Sequence, residues 1–115
     1  MSRDPADRLR DILERIRSVA AAEDVMEQAR DRGDERAVAV AFDAILYDLV
    51  VIGEAVRMIP ADVLAREPEV PWRLIVGMRN RLAHEYFRLR PELVGLTIDE
   101  PMRHMEAACR RLLAE

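Results

Sequence analysis

The chain contains no lysine and only one cysteine. Its charge balance and its lack of further cysteines each disfavour certain classes of protein. All 18 basic residues are arginine, and 22 acidic residues outnumber them, which gives a formal net charge of −4. A protein that coats nucleic acid by bulk electrostatics is expected to be basic, so this balance disfavours that class while leaving room for a local basic site. A lone cysteine, Cys109, supports neither a disulfide framework nor a cysteine-based metal cluster.

Aromatic residues and long apolar runs are also scarce. Aromatics make up 4% of the chain although apolar residues reach 50%, so aliphatic side chains must fill most of the core. That mixture favours helices over a β-sandwich. No apolar run approaches the ~20 residues that cross a bilayer, and no apolar segment typical of a signal peptide is visible at the N-terminus. We therefore expect a cytoplasmic protein that does not bind membranes.

The apolar pattern predicts a single all-α domain over residues 1–115, built as a small up-and-down bundle of four to five helices. Asp4-Pro5 is typical of a helix start, with a capping carboxylate before proline. The first helix is then marked by apolar residues three and four apart, namely Leu9, Ile12, Leu13, Ile16, Val19 and Ala20. Residues 22–34 are polar and predict either a continuation of this helix or a short turn leading into a loop.

The most regular pattern begins at Glu35. Alternating spacings of four and three form a heptad seam, which predicts a helix packed along another helix: Val38, Phe42, Ile45, Leu49, Ile52, Val56 and Ile59. A second, half-polar stripe on a neighbouring face indicates either dimer contacts or solvated surface: Asp43, Tyr47, Val50, Glu54 and Arg57. Pro60 ends this helix, and a connection with one short helical turn follows.

Two further helices are predicted after that connection. One runs from Trp72 to about His84, and Trp72 is expected in the core or at an interface. The other fills the C-terminal segment, where Pro101 must kink or divide the helix. Asp99 could then cap its second part, while Cys109 has the spacing of a core residue.

The segment VGMRNRLAHEYFRLR, residues 76–90, concentrates positive charge around one of the two histidines. Residues 72–90 carry a net charge of +4 inside a chain of −4. Arg79 falls in the middle of the predicted apolar helix face, where a guanidinium must be paired or must point into a polar cleft. His84 lies about 140° around an unbroken helix from Arg79. Either Arg79 reaches round the helix, or a second chain completes the site.

The spacing of Arg79, His84 and Tyr86 resembles the Arg-x4-His-x-Tyr signature of HepT-like ribonuclease domains in the HEPN superfamily. The similarity extends to IGEAV (residues 52–56), to PEVPWRLIVGMRNRLAHEYF (residues 68–87) and to the PELV that follows. It implies a dimerising HEPN-like bundle that acts as the toxin of a type VII-like toxin–antitoxin system. The expected partners are RNA, a second copy of the chain and a minimal nucleotidyltransferase antitoxin.

The resemblance also implies residue roles. Arg79 and His84 would be the catalytic pair of a metal-independent endoribonuclease without a cofactor, acting across a dimer cleft. Asn80, Arg81 and Glu54 would support them or bind substrate. The chemistry is plausible because a ribose 2′-OH can attack its own phosphodiester. An imidazole can then take up and return the proton, while a guanidinium stabilises negative charge on the phosphate.

The resemblance also implies that Tyr86 regulates the activity. In the family, the tyrosine of the motif accepts AMP from the antitoxin, and the toxin is thereby inactivated. Two alternatives stay open at the level of sequence. The chain could be a non-catalytic HEPN subunit that binds nucleotide or RNA in a nucleotidyltransferase complex. It could also be a structural dimerisation bundle in which Arg79 pairs with Glu54. His84 would then be a cation favoured by the end of a helix, and Tyr86 a packing residue.

Overall fold

The computed structural model describes residues 4–85 and 91–115, apart from the side chains of residues 83, 85 and 91–98. The described residues form five helices and no strand: α1 (Pro5–Asp31), α2 (Glu35–Arg57), α3 (Ala61–Leu64), α4 (Trp72–Glu85) and α5 (Pro91–Ala114). The prediction of an all-α bundle is confirmed. Within these same ranges, no helix combines the length and the apolar character that crossing a membrane would require.

Helix α1 starts as the sequence predicts and is longer than its apolar stripe. Asp4 accepts a hydrogen bond from the backbone N–H of Asp7 at 2.9 Å, and proline occupies the first turn. Beyond the predicted stripe, Met26 and Ala29 are buried, and the helix continues to Asp31. The polar segment is therefore a continuation of the helix. Ala20, however, is exposed, because it lies about 100° around the helix from the residue before it.

Gly33 lets the chain reverse within three residues. It adopts a positive φ of 73°, a conformation that glycine enters without steric cost. The next N–H, that of Asp34, reaches back to the carbonyl of Ala29 at 2.9 Å, while the Asp34 side chain caps α2 by accepting from the N–H of Ala37 at 3.1 Å. This tight reversal lays α2 against α1, and these two helices share the largest helix contact of the described fold.

The heptad seam of α2 forms the centre of the core. All its residues are buried except Val38, which is partly buried at the edge of the same cluster. The second stripe is largely exposed on the single chain: Tyr47 is 60% exposed, Asp43 and Arg57 are exposed, and Glu54 is half-buried. Helix α4 packs on α2 and α5 packs on α1, so α2 lies between α1 and the segment that carries the arginine and histidine.

Trp72 fixes the start of α4 to the connection before it. Its indole N–H donates to the carbonyls of Leu64 and Glu67, at 3.2 and 3.0 Å, and its ring is buried. Glu67 also accepts two hydrogen bonds from Arg111 of α5, at 2.6 and 3.0 Å. These contacts hold the connection, α4 and α5 together, and Trp72 is confirmed as a core residue.

Helix α5 is continuous through Pro101, so of the two predicted alternatives, a kink or a division, the division is excluded, and Asp99 lies inside the helix rather than at a cap. Proline removes one backbone donor, but burial of the following turns against the core can outweigh that loss. The buried residues there are Met102, Met105, Ala108, Cys109 and Leu112. Cys109 is a core residue as predicted, and burial raises the pKa of its thiol to about 12.

One charged pair lies inside the α1–α2 contact and was not predicted. Asp48 is only 2% exposed and accepts a hydrogen bond from Nη1 of Arg15 at 3.1 Å. The same guanidinium lies 5.4 Å from the ring centroid of Tyr47, a cation–π distance. The bond to Asp48 raises the pKa of Arg15. The second oxygen of Asp48, Oδ2, is buried without a hydrogen-bond partner among the described residues. The bond from Arg15 therefore supplies most of the stabilisation that offsets the burial of the Asp48 carboxylate.

Stability is expected to fall with rising pH because of a carboxyl pair between α1 and α5. Burial first, and then the neighbouring Asp99, raise the pKa of Glu23 from 4.5 to about 7. The folded state thus binds this proton more tightly than the unfolded state, so the free energy of unfolding decreases as pH rises from about 4.5 to 7. Glu23→Gln should stabilise the protein at pH 8 by about 1 kcal/mol, a value reduced by solvent screening.

Urea unfolding at pH 5 and pH 8 measures this effect. The gain from Glu23→Gln should be much smaller at pH 5, where the native carboxyl is already protonated. Glu27→Gln, on the exposed side of the same helix, is the matched control for the loss of one negative charge. Equal gains from Glu23→Gln at both pH values would contradict the assigned cause.

Candidate active site

Arg79 lies where α4 contacts α2. Ile75 and Leu82 of α4 are buried on the same side, while the Arg79 side chain keeps 38% of its surface exposed. Its Nε lies 3.4 Å from Oε2 of Glu54. That nitrogen is buried and makes no hydrogen bond, so the contact is an ion pair without donor geometry. Arg79 lies on the apolar face of α4 and has an anionic partner in Glu54. This agrees with the expectation that a partly buried charge is paired.

Glu54 is shared among several arginines. Its closest partner is Arg57, one turn later in α2, whose Nη2 donates at 2.6 Å and whose Nε donates at 3.4 Å. These hydrogen bonds, followed by the positive charges of Arg57, Arg79 and Arg8, lower the pKa of Glu54. The result is an arginine cluster at one ionised carboxylate: Arg57 and Arg79 contact Glu54, and the positive charge of Arg8 acts on it from α1. Its excess positive charge suits a phosphate group.

Two members of this cluster were not found from the sequence as site residues. Arg57 was assigned only to the second stripe of α2. Arg8 comes from the first turns of α1, and no spacing relates it to the motif, because only the packing of α1 on α2 brings it near Glu54. Gly53, which precedes Glu54, was likewise singled out only as part of IGEAV.

Asn80 and Arg81 follow Arg79 in the chain and are both exposed. Oδ1 of Asn80 accepts a hydrogen bond from Nη1 of Arg79 at 3.3 Å. The two expected supporting residues are therefore available to a ligand, and the amide of Asn80 restrains the guanidinium of its neighbour.

His84 is exposed in the last turn of α4. Because the helix runs unbroken from Trp72 to Glu85, His84 lies about 140° around the axis and ~7.5 Å along it from Arg79. Arg79 turns toward α2, whereas His84 faces solvent. A single chain therefore does not bring this guanidinium and this imidazole together on one face of the helix.

Tyr86, the expected AMP acceptor, lies outside the described residues, and so do Arg88 and Arg90. The second histidine, His104, is exposed on α5 with Nε2 3.7 Å from Glu100. In the part of the chain that the structure describes, no three histidine, cysteine, aspartate or glutamate side chains are grouped to hold a metal ion.

Comparison with known proteins identifies the family of the chain. The chain is 34% identical over 70 residues to a protein named as a candidate RNase from Caldanaerobacter subterraneus subsp. tengcongensis. The aligned region covers 61% of this chain and 62% of that protein. It is 33% identical over 69 residues to a probable ribonuclease HepT from Thermococcus cleftensis, covering 60% of this chain and 63% of the relative. A candidate RNase from Methanocaldococcus jannaschii is 39% identical over 51 residues, or 44% and 42% of the two chains.

The chain thus spans less than two thirds of the length of these curated relatives. No solved structure matches it. A family model described as ribonuclease HepT-like matches residues 7–112, which include the whole arginine–histidine segment and all the helices except the first two residues of α1 and the last two of α5. The chain therefore belongs to the ribonuclease HepT-like family.

Proposed function

We propose that this protein is a toxin that cleaves RNA at a site built from Arg79 of one chain and His84 of a second. The observation that carries the proposal is the opposed placement of the two side chains on α4. Arg79 belongs to an arginine cluster against α2, while His84 is exposed on another side of the helix. Two chains that meet through α4 can place one imidazole opposite the other chain's guanidinium, and a dimer with twofold symmetry would create two such pairs.

The proposed reaction needs no group beyond those of the two chains and the RNA. The imidazole of His84 removes the proton from a ribose 2′-OH, and the 2′ oxygen bonds to the adjacent phosphorus. The bond from phosphorus to the 5′ oxygen breaks, and that oxygen takes up the proton that the imidazole of His84 now carries. The products are a 2′,3′-cyclic phosphate and a 5′-hydroxyl end. Arg79 binds the nonbridging oxygens and stabilises their growing charge.

The charges around Glu54 favour this role over a purely structural one. A structural guanidinium would be expected to neutralise a buried carboxylate, yet the Glu54 side chain is 39% exposed and Arg57 already binds it closely. The buried carboxylate of the described fold is Asp48, and its partner is Arg15. The positive charge of Arg79 is therefore only partly neutralised by Glu54, and its guanidinium can bind a phosphate group.

Control by AMP transfer is part of the same proposal. Tyr86 is two residues from His84, so an AMP group on its phenol would bring bulk and negative charge to the place where the RNA phosphate binds. A minimal nucleotidyltransferase would act as the antitoxin of a type VII-like system. Intact-mass spectrometry after co-expression should find the mass of one or more AMP groups, and Tyr86→Phe should prevent their addition. An adduct that persists in Tyr86→Phe would contradict this assignment.

RNA cleavage in a chelator tests the central activity. Purified protein with EDTA should cut an unstructured RNA oligonucleotide and leave a 2′,3′-cyclic phosphate, but should not cut the 2′-O-methyl version. Arg79→Ala should reduce the rate by about 100-fold or more. Arg103→Ala, an exposed arginine on α5, controls for the loss of one positive charge. Binding of the oligonucleotide without cleavage would favour the alternative of a non-catalytic HEPN subunit.

A further inference from the structure

Gly53 and Arg79 lie close together where α2 packs against α4. A Cβ placed on Gly53 would lie 2.8 Å from Cβ of Arg79 and 3.4 Å from the backbone carbonyl oxygen of Ile75. Real Cβ atoms essentially never approach a neighbour as closely as the first of these distances. Neither neighbour is the free end of a flexible side chain, so the contact could be relieved only if α4 moved away.

Glycine in the interior of a helix needs a reason, because it weakens the helix relative to alanine. Gly53 is buried near the end of α2, in a turn where Ile52 and Ala55 are also buried. Its missing side chain allows the stem of Arg79 to rest directly on the α2 backbone. The next residue, Glu54, contacts Nε of the same side chain at 3.4 Å. Two consecutive residues of α2 thus locate both the base and the charged end of Arg79.

We propose that Gly53 is a positioning residue for Arg79: the absent Cβ sets how far the Arg79 guanidinium projects from α2. This inference rests on the proposed RNase function and adds a residue to it. A methyl group at position 53 would displace Arg79 at its root, and the displacement would be transmitted along the side chain to the phosphate-binding nitrogens. Catalysis depends steeply on such placement, since a displacement near 1 Å can cost about 100-fold in rate.

Gly77 supplies a matched control in the opposite helix. It lies in α4, two residues before Arg79, and a Cβ added there would meet nothing within 4 Å. Gly77→Ala therefore makes the same chemical change without the close contact. Both variants gain the helix propensity of alanine, so a difference between them reports the contact itself.

The experiment compares Gly53→Ala and Gly77→Ala with the full-length protein, using a mixed-sequence RNA oligonucleotide as substrate and its 2′-O-methyl version as a binding probe. We expect Gly53→Ala to lower kcat by about 10- to 100-fold. KM and the probe's affinity should change by less than about threefold, because other arginines also contribute to binding. Gly77→Ala should match the wild type. Full binding stoichiometry of the probe establishes that the lost activity is not a lost folded fraction.

A phosphorothioate at the scissile linkage provides a readout that a purely structural role would not change. Sulfur weakens the contact between a guanidinium and a nonbridging oxygen, so it should slow the wild type and Gly77→Ala. Gly53→Ala should be less sensitive, because its Arg79 is already displaced. If Gly53→Ala fails to fold, Glu54→Gln with Gly53 intact takes its place, and we expect a fall in kcat of about 3- to 10-fold.

The outcomes separate this inference from the function on which it rests. Folded Gly53→Ala with wild-type kcat and wild-type phosphorothioate sensitivity would overturn the positioning role alone. If Gly53→Ala does not fold, wild-type kcat in Glu54→Gln would overturn it instead. A wild-type protein that cuts RNA no faster than His84→Ala would overturn the proposed function, and the inference with it.

Discussion

His84→Ala is expected to lower kcat for RNA cleavage by about 1,000-fold, within the range that a positioned general acid–base group supplies. The melting temperature should hardly change, because the side chain is exposed in the last turn of α4. Single-turnover cleavage of the RNA oligonucleotide measures the first effect, and thermal unfolding followed by circular dichroism measures the second. A large loss of rate in a fully folded protein separates a catalytic histidine from a helix-terminal cation.

The other histidine of the chain provides the control. His104 is also exposed and lies on α5, where its Nε2 is 3.7 Å from Oε1 of Glu100. His104→Ala should therefore cleave RNA at the wild-type rate. If His84→Ala kept activity within about tenfold of the wild type, the imidazole would not be the proton carrier that the proposal requires.

Arg15→Met should destabilise the protein by about 3 kcal/mol, because it breaks a buried ion pair at the α1–α2 contact. Methionine retains much of the apolar stem of arginine but leaves the Asp48 carboxylate, 2% exposed, without its hydrogen-bond partner. An unpaired buried charge costs several kcal/mol, and breaking a buried pair from one side typically costs about 3–5 kcal/mol. Urea unfolding at pH 7 measures the loss.

Two comparisons test the cause of that loss. Arg10→Met breaks the pair between Arg10 and Asp7, whose side chains are 65% and 43% exposed, so its effect should stay below about 0.5 kcal/mol. The double variant Arg15→Met/Asp48→Leu replaces both charges and should recover most of the stability lost in Arg15→Met. A double variant less stable than Arg15→Met would contradict the unpaired Asp48 carboxylate as the cause of the loss.

Much of the fold follows from local patterns that a sequence shows directly. The heptad seam of α2, the capping carboxylate of Asp4 and the core position of Trp72 each depend on neighbours within a few residues. They were predicted and are observed. The sequence could not decide whether α5 continues through Pro101, because the local penalty of proline is outweighed by the burial of later turns such as those of Met105 and Cys109.

For the candidate site, too, some residues could be predicted from the sequence and others could not. Its motif residues could be chosen from sequence because the resemblance fixes their spacing. What surrounds them comes from helix packing: Arg8 reaches the cluster from α1, and Gly53 meets Arg79 from α2. Asp48 did carry a local signal, since it lies between Ile45 and Ile52 at helical spacing from both. Its partner Arg15, however, is 33 residues away, and only the α1–α2 contact identifies it.

The most direct test of the account is to mix two inactive variants. Arg79→Ala and His84→Ala are each expected to be inactive alone. After co-expression, half of the dimers should be mixed, and each mixed dimer should contain one site with both groups intact, formed by Arg79 of one chain and His84 of the other. Cleavage should then return to about a quarter of the wild-type rate. Mixed dimers that form, as separate affinity tags would verify, and yet stay inactive would contradict a site that the two chains build together.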